Sequence, residues 1–283
     1  MRIAVINQRL SLLQDKAAVD VHAASGGRFG PDAISAYERW AEFTDWARAA
    51  DLPDPEPFTP AWLGSPSPAP RQVFGIGLNY SDHAAESGFA RPETAPPVFT
   101  KFPTCITGPY GDITLPPGGH TDWEVELVVV IGPTAVHVPA ASAWEHVAGL
   151  AVGQDVSERI LQLASPPPQF SLGKSFPGFG PVGPCLVTPD EFDNPNDLEL
   201  SCSINGEEVQ KGRTRDLIFS VAELIEHLSS VTPLLPGDLI FTGTPSGVGM
   251  GRNPQRWLAP GDVLTTSIEG IGEMSHRFVA AQE

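Results

Sequence analysis

The chain has 283 residues, with 17 Lys and Arg against 34 Asp and Glu, a formal charge of −17 at 41% hydrophobic content. That hydrophobic share supports a large core and excludes an intrinsically disordered chain. The acidity, with no basic patch against it, argues against nucleic acid as a partner, since such binding rests on Lys and Arg neutralising phosphates. The 30 prolines and 28 glycines are too many for a helical bundle and lack the G-X-Y period of collagen. A turn-rich, mainly β protein is expected.

In chain order, the opening MRIAVINQRLSLLQ lacks the apolar stretch of a signal peptide, and no run of about 18 apolar residues reads as a membrane span. The expectation is a soluble, cytoplasmic protein without a membrane partner. RIAVI alternates like a strand, AAVDVHAA reads as a second strand, and ISAYERWAEFTDWARAA carries apolar positions at helical spacing. Residues 1–64 are therefore expected to form a small N-terminal domain. Proline is dense over residues 52–70, which predicts a stiff, extended connector, its last part at 65–70. The larger unit, residues 71–283, reads as strands and turns: QVFGIGL, DITLP, EVELVVVIG, LELSCSING, DLIFTGTP and DVLTTSIEGIG. PGD turns at 236–238 and 260–262 each precede a strand. DVSERILQLA and FSVAELIEHLSSV are the clearest helices. The predicted class is α+β, mainly β: a mixed β-roll or β-barrel catalytic domain behind a small N-terminal domain.

Several side chains stand out by chemistry. Cys105, Cys185 and Cys202 are odd in number, far apart and without CxxC spacing, so buried thiols are expected rather than disulfides or a zinc site. In DWEVELVVVIG, Glu124 and Glu126 are two apart on a strand and project to the same face. An isolated E-x-E also fits a solvated edge strand. Here, however, Leu127 to Ile131 continue as an apolar run, the mark of a strand buried on both faces. Carboxylates entering such a strand need a cation. Asp155, where GLAVGQ ends and a helix is expected, fits either a helix N-cap or a third carboxylate of the same group. Three carboxylates suit a hard ion, Mg²⁺ or Mn²⁺, with Ca²⁺ as a possible substitute.

If NYSDHAAES includes one short helix over Tyr80 to Ser87, His83 and Glu86 share a face, and the carboxylate can hold the imidazole in one tautomer. An exposed i,i+3 surface pair has the same spacing. Gly77 and Gly88 flank the segment like hinges. Only four lysines occur against thirteen arginines, and Lys101 and Lys174 lie in apolar, Gly/Pro-rich text. Desolvated lysines beside carboxylates can stabilise developing negative charge. FTGTPSGVG, residues 241–249, offers backbone N–H groups and the Thr244 and Ser246 hydroxyls as a carboxylate cradle, or serves simply as a turn.

The ordered series NYSDHAAE, PPVFTKFPTCITGP, WEVELVVVIG, GQDVSERILQ, GKSF, NGEEVQKGRTRDLIFS, LLPGDLIFTGTPSGVG and LAPGDVLTTSIEGIG resembles the fumarylacetoacetate hydrolase family, in its acylpyruvase and 2-hydroxyhepta-diene-dioate isomerase types. The likeness covers residues 71 to 278. It implies a mixed β-roll with a divalent metal at its mouth, usually in a homodimer. By position, Glu124, Glu126 and Asp155 are similar to the family's metal ligands, His83 and Glu86 to its lid dyad, and Lys174 to its active-site lysine. Gln162 matches a substrate-contacting glutamine, Gly243 and Thr244 the loop that holds a substrate carboxylate, and Lys101 a lysine before the metal site. Pro177 and Gly178 depart from the family's text beside Lys174, and Leu78 stands where some relatives carry Arg, which weakens a second carboxylate contact.

The resemblance implies metal-dependent hydrolysis of a C–C bond in an acylpyruvate or related 1,3-diketo acid, with a small 2-oxo acid as partner. Isomerases, hydratases and decarboxylases of 2-oxo or 2-hydroxy-diene dicarboxylic acids share the scaffold and are the rival readings. A non-catalytic β protein binding Ca²⁺ or a small acid is a third, against which the His83–Glu86 segment speaks.

Overall fold

The computed structural model describes residues 1–86, 88 and 90–281. Two mixed sheets form the body. The larger has twelve strands, with the order Glu56–Pro57, Ala17–Asp20, Arg9–Gln14, Arg2–Ile6, Gly180–Val187, Val147–Gln154, Val125–Ile131, Leu239–Phe241, Val73–Ile76 and Val98–Thr100. Leu63–Gly64 and Ile106–Thr107 pair off this path. The smaller sheet has five strands, ordered Glu207–Arg213, Glu199–Ile204, Val263–Ile268, Gly272–Ala280 and Tyr110–Leu115. Among the described residues neither sheet closes on itself, so the roll reading of a mainly β, α+β chain holds and the barrel does not.

Val125–Ile131 shows how the sequence builds this. All seven residues are buried, because the strand is paired on both sides, to Val147–Gln154 and to Leu239–Phe241, and covered on both faces. Its alternation splits the side chains. Val125, Leu127, Val129 and Ile131 join one core with Leu200, Ile268 and Phe278 of the smaller sheet. Val128 and Val130 join a second core with Tyr37 and Phe43 of the N-terminal helices. Strands buried on both faces read as continuous apolar runs for this reason.

The N-terminal text forms the expected strand at Arg2–Ile6, which pairs antiparallel with Gly180–Val187. AAVDVHAA divides: Ala17–Asp20 is strand, and the Asp20 carboxylate then accepts from Ala23 N–H to cap a short helix, Val21–Ala24. The predicted helix over 34–50 breaks at Arg39, whose φ of −126° is not helical, giving Ile34–Tyr37 and Trp40–Ala49. The proline-rich stretch is not free of ladders, since Glu56–Pro57 and Leu63–Gly64 both pair. Both PGD turns precede strands as expected, with Gly237 and Gly261 at φ of 83° and 98°. Val221–Val231 is helical behind a Ser220/Glu223 capping box. DVSERILQLA is largely not a helix: Ser157–Glu158 pairs with Thr121–Asp122, and only Arg159–Gln162 winds. All three cysteines are buried and unpaired. No helix of the described residues is long and apolar enough to cross a membrane.

Candidate active site

The site begins as a matter of strand register. Val125 pairs with Gln154 and Glu126 with Gly153, so one step further Glu124 lies opposite Asp155, whose N–H donates to the Glu124 carbonyl at 3.0 Å. Gly153 leaves room at this crossing, since a Cβ there would meet Val128 at 2.3 Å and the Phe241 ring at 2.9 Å. The carboxylates of Glu124, Glu126 and Asp155 each present an oxygen within 4.8 Å of the others, all buried. Asp155 is not the helix cap. That role belongs to Glu158, which accepts from Ile160 and Leu161 N–H.

Three buried cations face this group. Lys174 Nζ donates to Glu124 Oε2 at 2.9 Å, Asp155 Oδ2 at 2.6 Å and Ser157 Oγ at 2.8 Å. Lys101 Nζ donates to Asp155 Oδ1 at 2.6 Å, to the Phe179 carbonyl at 3.1 Å and to the Lys174 carbonyl. Arg159 joins Asp122 and Glu124, both at 2.8 Å, and donates to Gln162 Oε1 at 2.9 Å. Charges are tolerated at such depth only when paired and hydrogen-bonded.

The electrostatics are uneven. Burial alone would raise Glu124, but Lys174, Arg159 and His83 hold it well below the usual carboxylate range. Glu126 has no ion pair among the described residues. Burial, then Asp155 and Glu124, push it well above that range, and the Gly243 N–H at 2.8 Å only partly compensates. The four buried carboxylates Asp122, Glu124, Glu126 and Asp155 thus outnumber the three cations by one. A donor set of hard oxygens, short of one positive partner at Glu126, fits a divalent metal held by Glu124, Glu126 and Asp155.

The second half of the site hangs on the short helix Ser81–Glu86. Ser87, the last residue expected in it, lies outside the described residues. His83 is buried and its Nδ1 lies 2.9 Å from Glu86 Oε1. A carboxylate only accepts, so Nδ1 carries the hydrogen, and in the neutral imidazole Nε2 is then the acceptor. Glu86 also accepts from Gly247 N–H at 2.9 and 3.1 Å, which ties the helix to the 241–249 loop. His83, Glu124, Glu126, Arg159, Lys174 and Thr244 line one cleft.

The structure sorts the expected substrate contacts. Gln162 lines the cleft with its carbonyl taken by Arg159, leaving its NH₂ available. Thr244 Oγ1 accepts from Gln210 Nε2 at 2.8 Å, so its hydroxyl hydrogen remains to donate. Lys101 and Gly243 direct their donors to the carboxylates. Lys101 is fully enclosed, spends its three hydrogens on protein oxygens and is not among the residues lining the cleft, an arrangement that braces Asp155. The Gly243 N–H serves Glu126 in the same indirect way. Lys174 reaches the cleft, yet its three hydrogens are also committed, and what it contributes there is charge.

Asp122 and Arg159 were not singled out from the sequence. The signal for Asp122 was present, since DWEVE continues the alternation of E-x-E by one more carboxylate. Arg159 and Gln162 are three apart on one helical face, a spacing that the expected longer helix obscured. Gln210 and Gln154, which hold Val125 and Glu124 by their N–H groups, had no local signal.

Open mixed sheets with a carboxylate, lysine and His–Glu cleft at a strand end define the class of site. The chain belongs to the fumarylacetoacetate hydrolase family: residues 72–279 match the family described as Fumarylacetoacetate (FAA) hydrolase C-terminal. It is 42% identical over 216 residues, 76% of this chain and 68% of the relative, to the human mitochondrial oxaloacetate tautomerase FAHD2A. The crystal structure of a Mycobacterium smegmatis protein provisionally assigned as HpcE matches at a TM-score of 0.96 and 56% identity, over 100% of both chains. Maleylpyruvate hydrolase from Sphingobium sp. SYK-6, solved with manganese(II) and pyruvate, matches at 0.82 and 28% identity, again over 100% of both.

Proposed function

We propose that this protein hydrolyses a C–C bond in an acylpyruvate or related 1,3-diketo acid, using Mg²⁺ or Mn²⁺ held by Glu124, Glu126 and Asp155. The observation that carries this reading is the assembled dyad, His83 Nδ1 at 2.9 Å from Glu86, in the same cleft as the buried carboxylates. When bound, the cation supplies a Lewis acid for the 2-oxo-carboxylate end of the substrate.

The chain's own residues do the rest. His83 Nε2 takes a proton from water, whose oxygen attacks the distal carbonyl. The C–C bond breaks, its electron pair passes to the pyruvate fragment as an enolate, and His83 returns the proton to that carbon. Pyruvate and a carboxylic acid leave. With a divalent cation held there, the charges of Lys101, Lys174 and Arg159 would make the site net positive beside an otherwise acidic surface. Thr244 and Gln162 have the free donors to orient the substrate carboxylate.

A second reading is proton transfer without water attack, the keto–enol interconversion of a 2-oxo acid. His83 could serve it as the proton shuttle, and the 42% identity to an oxaloacetate tautomerase supports it. Incubating the manganese-loaded protein with acylpyruvates and with enol oxaloacetate, and analysing products, separates the two. Pyruvate plus a carboxylic acid supports hydrolysis; loss of enol absorbance without cleavage supports tautomerisation.

A further inference from the structure

We infer that Gln210 is a positioning residue of this site: its amide obliges the Thr244 hydroxyl to accept, so that the hydroxyl hydrogen is offered to the carboxylate of a bound 2-oxo acid. The inference rests on the proposed reading that such an acid binds beside Thr244. It names the group that sets the polarity of that contact.

Gln210 is buried on the strand Glu207–Arg213 of the smaller sheet and is not among the residues lining the cleft. A bulge turns it toward the site. Cys202 pairs with Gln210 and Ser203 with Glu208, so Val209 is one residue too many for the ladder. Val209 and Gln210 are consecutive and both buried, which strict alternation forbids and a bulge permits. The 241–249 loop packs directly on this strand. A Cβ on Gly247 would meet the Val209 carbonyl at 2.3 Å, and one on Gly212 would meet Pro245 at 2.7 Å.

Every hydrogen-bonding position of the Gln210 amide is used. Its Oε1 accepts from Val125 N–H at 3.0 Å and from the Cys202 thiol at 3.3 Å. Its Nε2 donates to the Pro245 carbonyl and to Thr244 Oγ1, each at 2.8 Å. Two of these partners have no choice of role: Val125 N–H only donates and the Pro245 carbonyl only accepts. Turning the amide over would set donor against donor and acceptor against acceptor. Thr244 Oγ1 therefore always meets a hydrogen, and its own hydrogen has no acceptor among the described residues. Thr244 lines the cleft, where an arriving carboxylate supplies the missing acceptor. The same amide holds the backbone N–H between Glu124 and Glu126, which fixes the distance from the Thr244 donor to the strand of the carboxylates. None of its four bonds involves a side chain assigned to the metal, so none competes with the metal.

The test is calorimetric binding of pyruvate to the manganese-saturated full chain, in a double-mutant cycle over Gln210→Met and Thr244→Val. If the parent binds no pyruvate, the reading of the cleft as a 2-oxo acid site falls, and this inference falls with it. With pyruvate bound by the parent, Thr244→Val should weaken it about tenfold and Gln210→Met about fivefold or more. In the Thr244→Val background, Gln210→Met should cost less than about twofold, because the hydroxyl it acts through is gone. Manganese affinity of Gln210→Met should stay within about threefold of the parent's, as a positioning role confined to Thr244 requires. Three results overturn the inference and leave the 2-oxo acid site intact: an equal loss from Gln210→Met in both backgrounds, no loss from either single substitution, or manganese affinity falling as far as pyruvate affinity. Should Gln210→Met give no cooperative thermal transition, the cycle is run with Gln210→Glu, which keeps the acceptor for Val125 and Cys202. Ionised or protonated, that side chain sets an oxygen lone pair before Thr244 and draws the hydroxyl hydrogen out of the cleft. A coupling of at least about fivefold is then expected, and a coupling near one overturns the inference.

Discussion

The two sides of the cleft are built on opposite principles. On one side, Glu124, Glu126, Asp155, Lys101, Lys174 and Arg159 are all buried on or beside the central strands, and nearly every donor and acceptor is matched inside the protein. On the other, His83 rides on a helix of six residues, Ser81–Glu86, tied to the opposite loop through Glu86 and Gly247. The first side cannot move without stranding a charge; the second can be displaced by breaking few contacts. The charged floor is thus held by many matched buried groups, and the acid–base helix by few contacts, a division suited to separating substrate positioning from proton transfer.

This contrast can be broken from either side. The largest effect is expected from Glu124→Ala, which leaves Lys174 and Arg159 short of a partner. Stability to urea should fall by about 3–5 kcal/mol, with divalent-metal binding and turnover lost. A variant that is fully active and indifferent to chelators would sink the assignment. Lys101→Met should be next, weakening metal affinity by about 10–100-fold through Asp155, while leaving the KM for substrate in the loaded enzyme nearly unchanged. A large rise in KM would return Lys101 to direct substrate contact.

On the His83 side the expected changes are kinetic. His83→Ala should lower turnover by about 10²–10⁴-fold and leave metal affinity within about twofold, as read by calorimetry and steady-state rates. Glu86→Gln should cost less, about tenfold or more, since Nδ1 keeps a hydrogen-bond partner but loses the carboxylate that supports the charged imidazole.

Proton linkage gives a smaller but diagnostic effect. In the metal-free fold Glu126 is raised above its ordinary range by burial and by Asp155 and Glu124, so the folded chain binds a proton that the unfolded chain releases. The metal-free protein should therefore lose stability as pH rises from the ordinary glutamate range through the raised one. Metal must displace that proton, so metal affinity should fall as pH falls through the raised range. Glu124, held low by its cations, should contribute nothing to that dependence. Calorimetry in buffers of different ionisation enthalpy counts the protons released, and a pH-independent affinity would contradict the electrostatic picture.

Much of the charged floor was legible in the sequence because strand alternation is a local rule. Glu124 and Glu126 are two apart, and an apolar run following them implies burial on both faces, as Val125–Ile131 shows. The two lysines were legible by being out of place in apolar text, whereas Asp155 by itself fitted a helix cap as well as a third carboxylate. What remained hidden depends on long-range pairing. Asp155 meets Glu124 through an antiparallel register across 31 residues, and Gly243 meets Glu126 across 117. Where the Lys101 and Gly243 donors point was not legible either, because local text cannot tell a donor aimed into a cleft from one directed to a neighbouring carboxylate. DVSERILQLA failed as a helix because its first residues pair in a ladder, a tertiary contact that overrides helical spacing.

The central claim, that a metal on the charged floor and a base on the Ser81–Glu86 helix act together, is tested most directly by one paired measurement. Metal content and pyruvate release from an acylpyruvate would be determined in the same samples of the parent protein and His83→Ala, both loaded with manganese. The account predicts one ion per chain in both and rapid pyruvate release from the parent alone. Pyruvate release from His83→Ala at the parental rate, or a parent that cleaves the substrate with no metal bound, would contradict it.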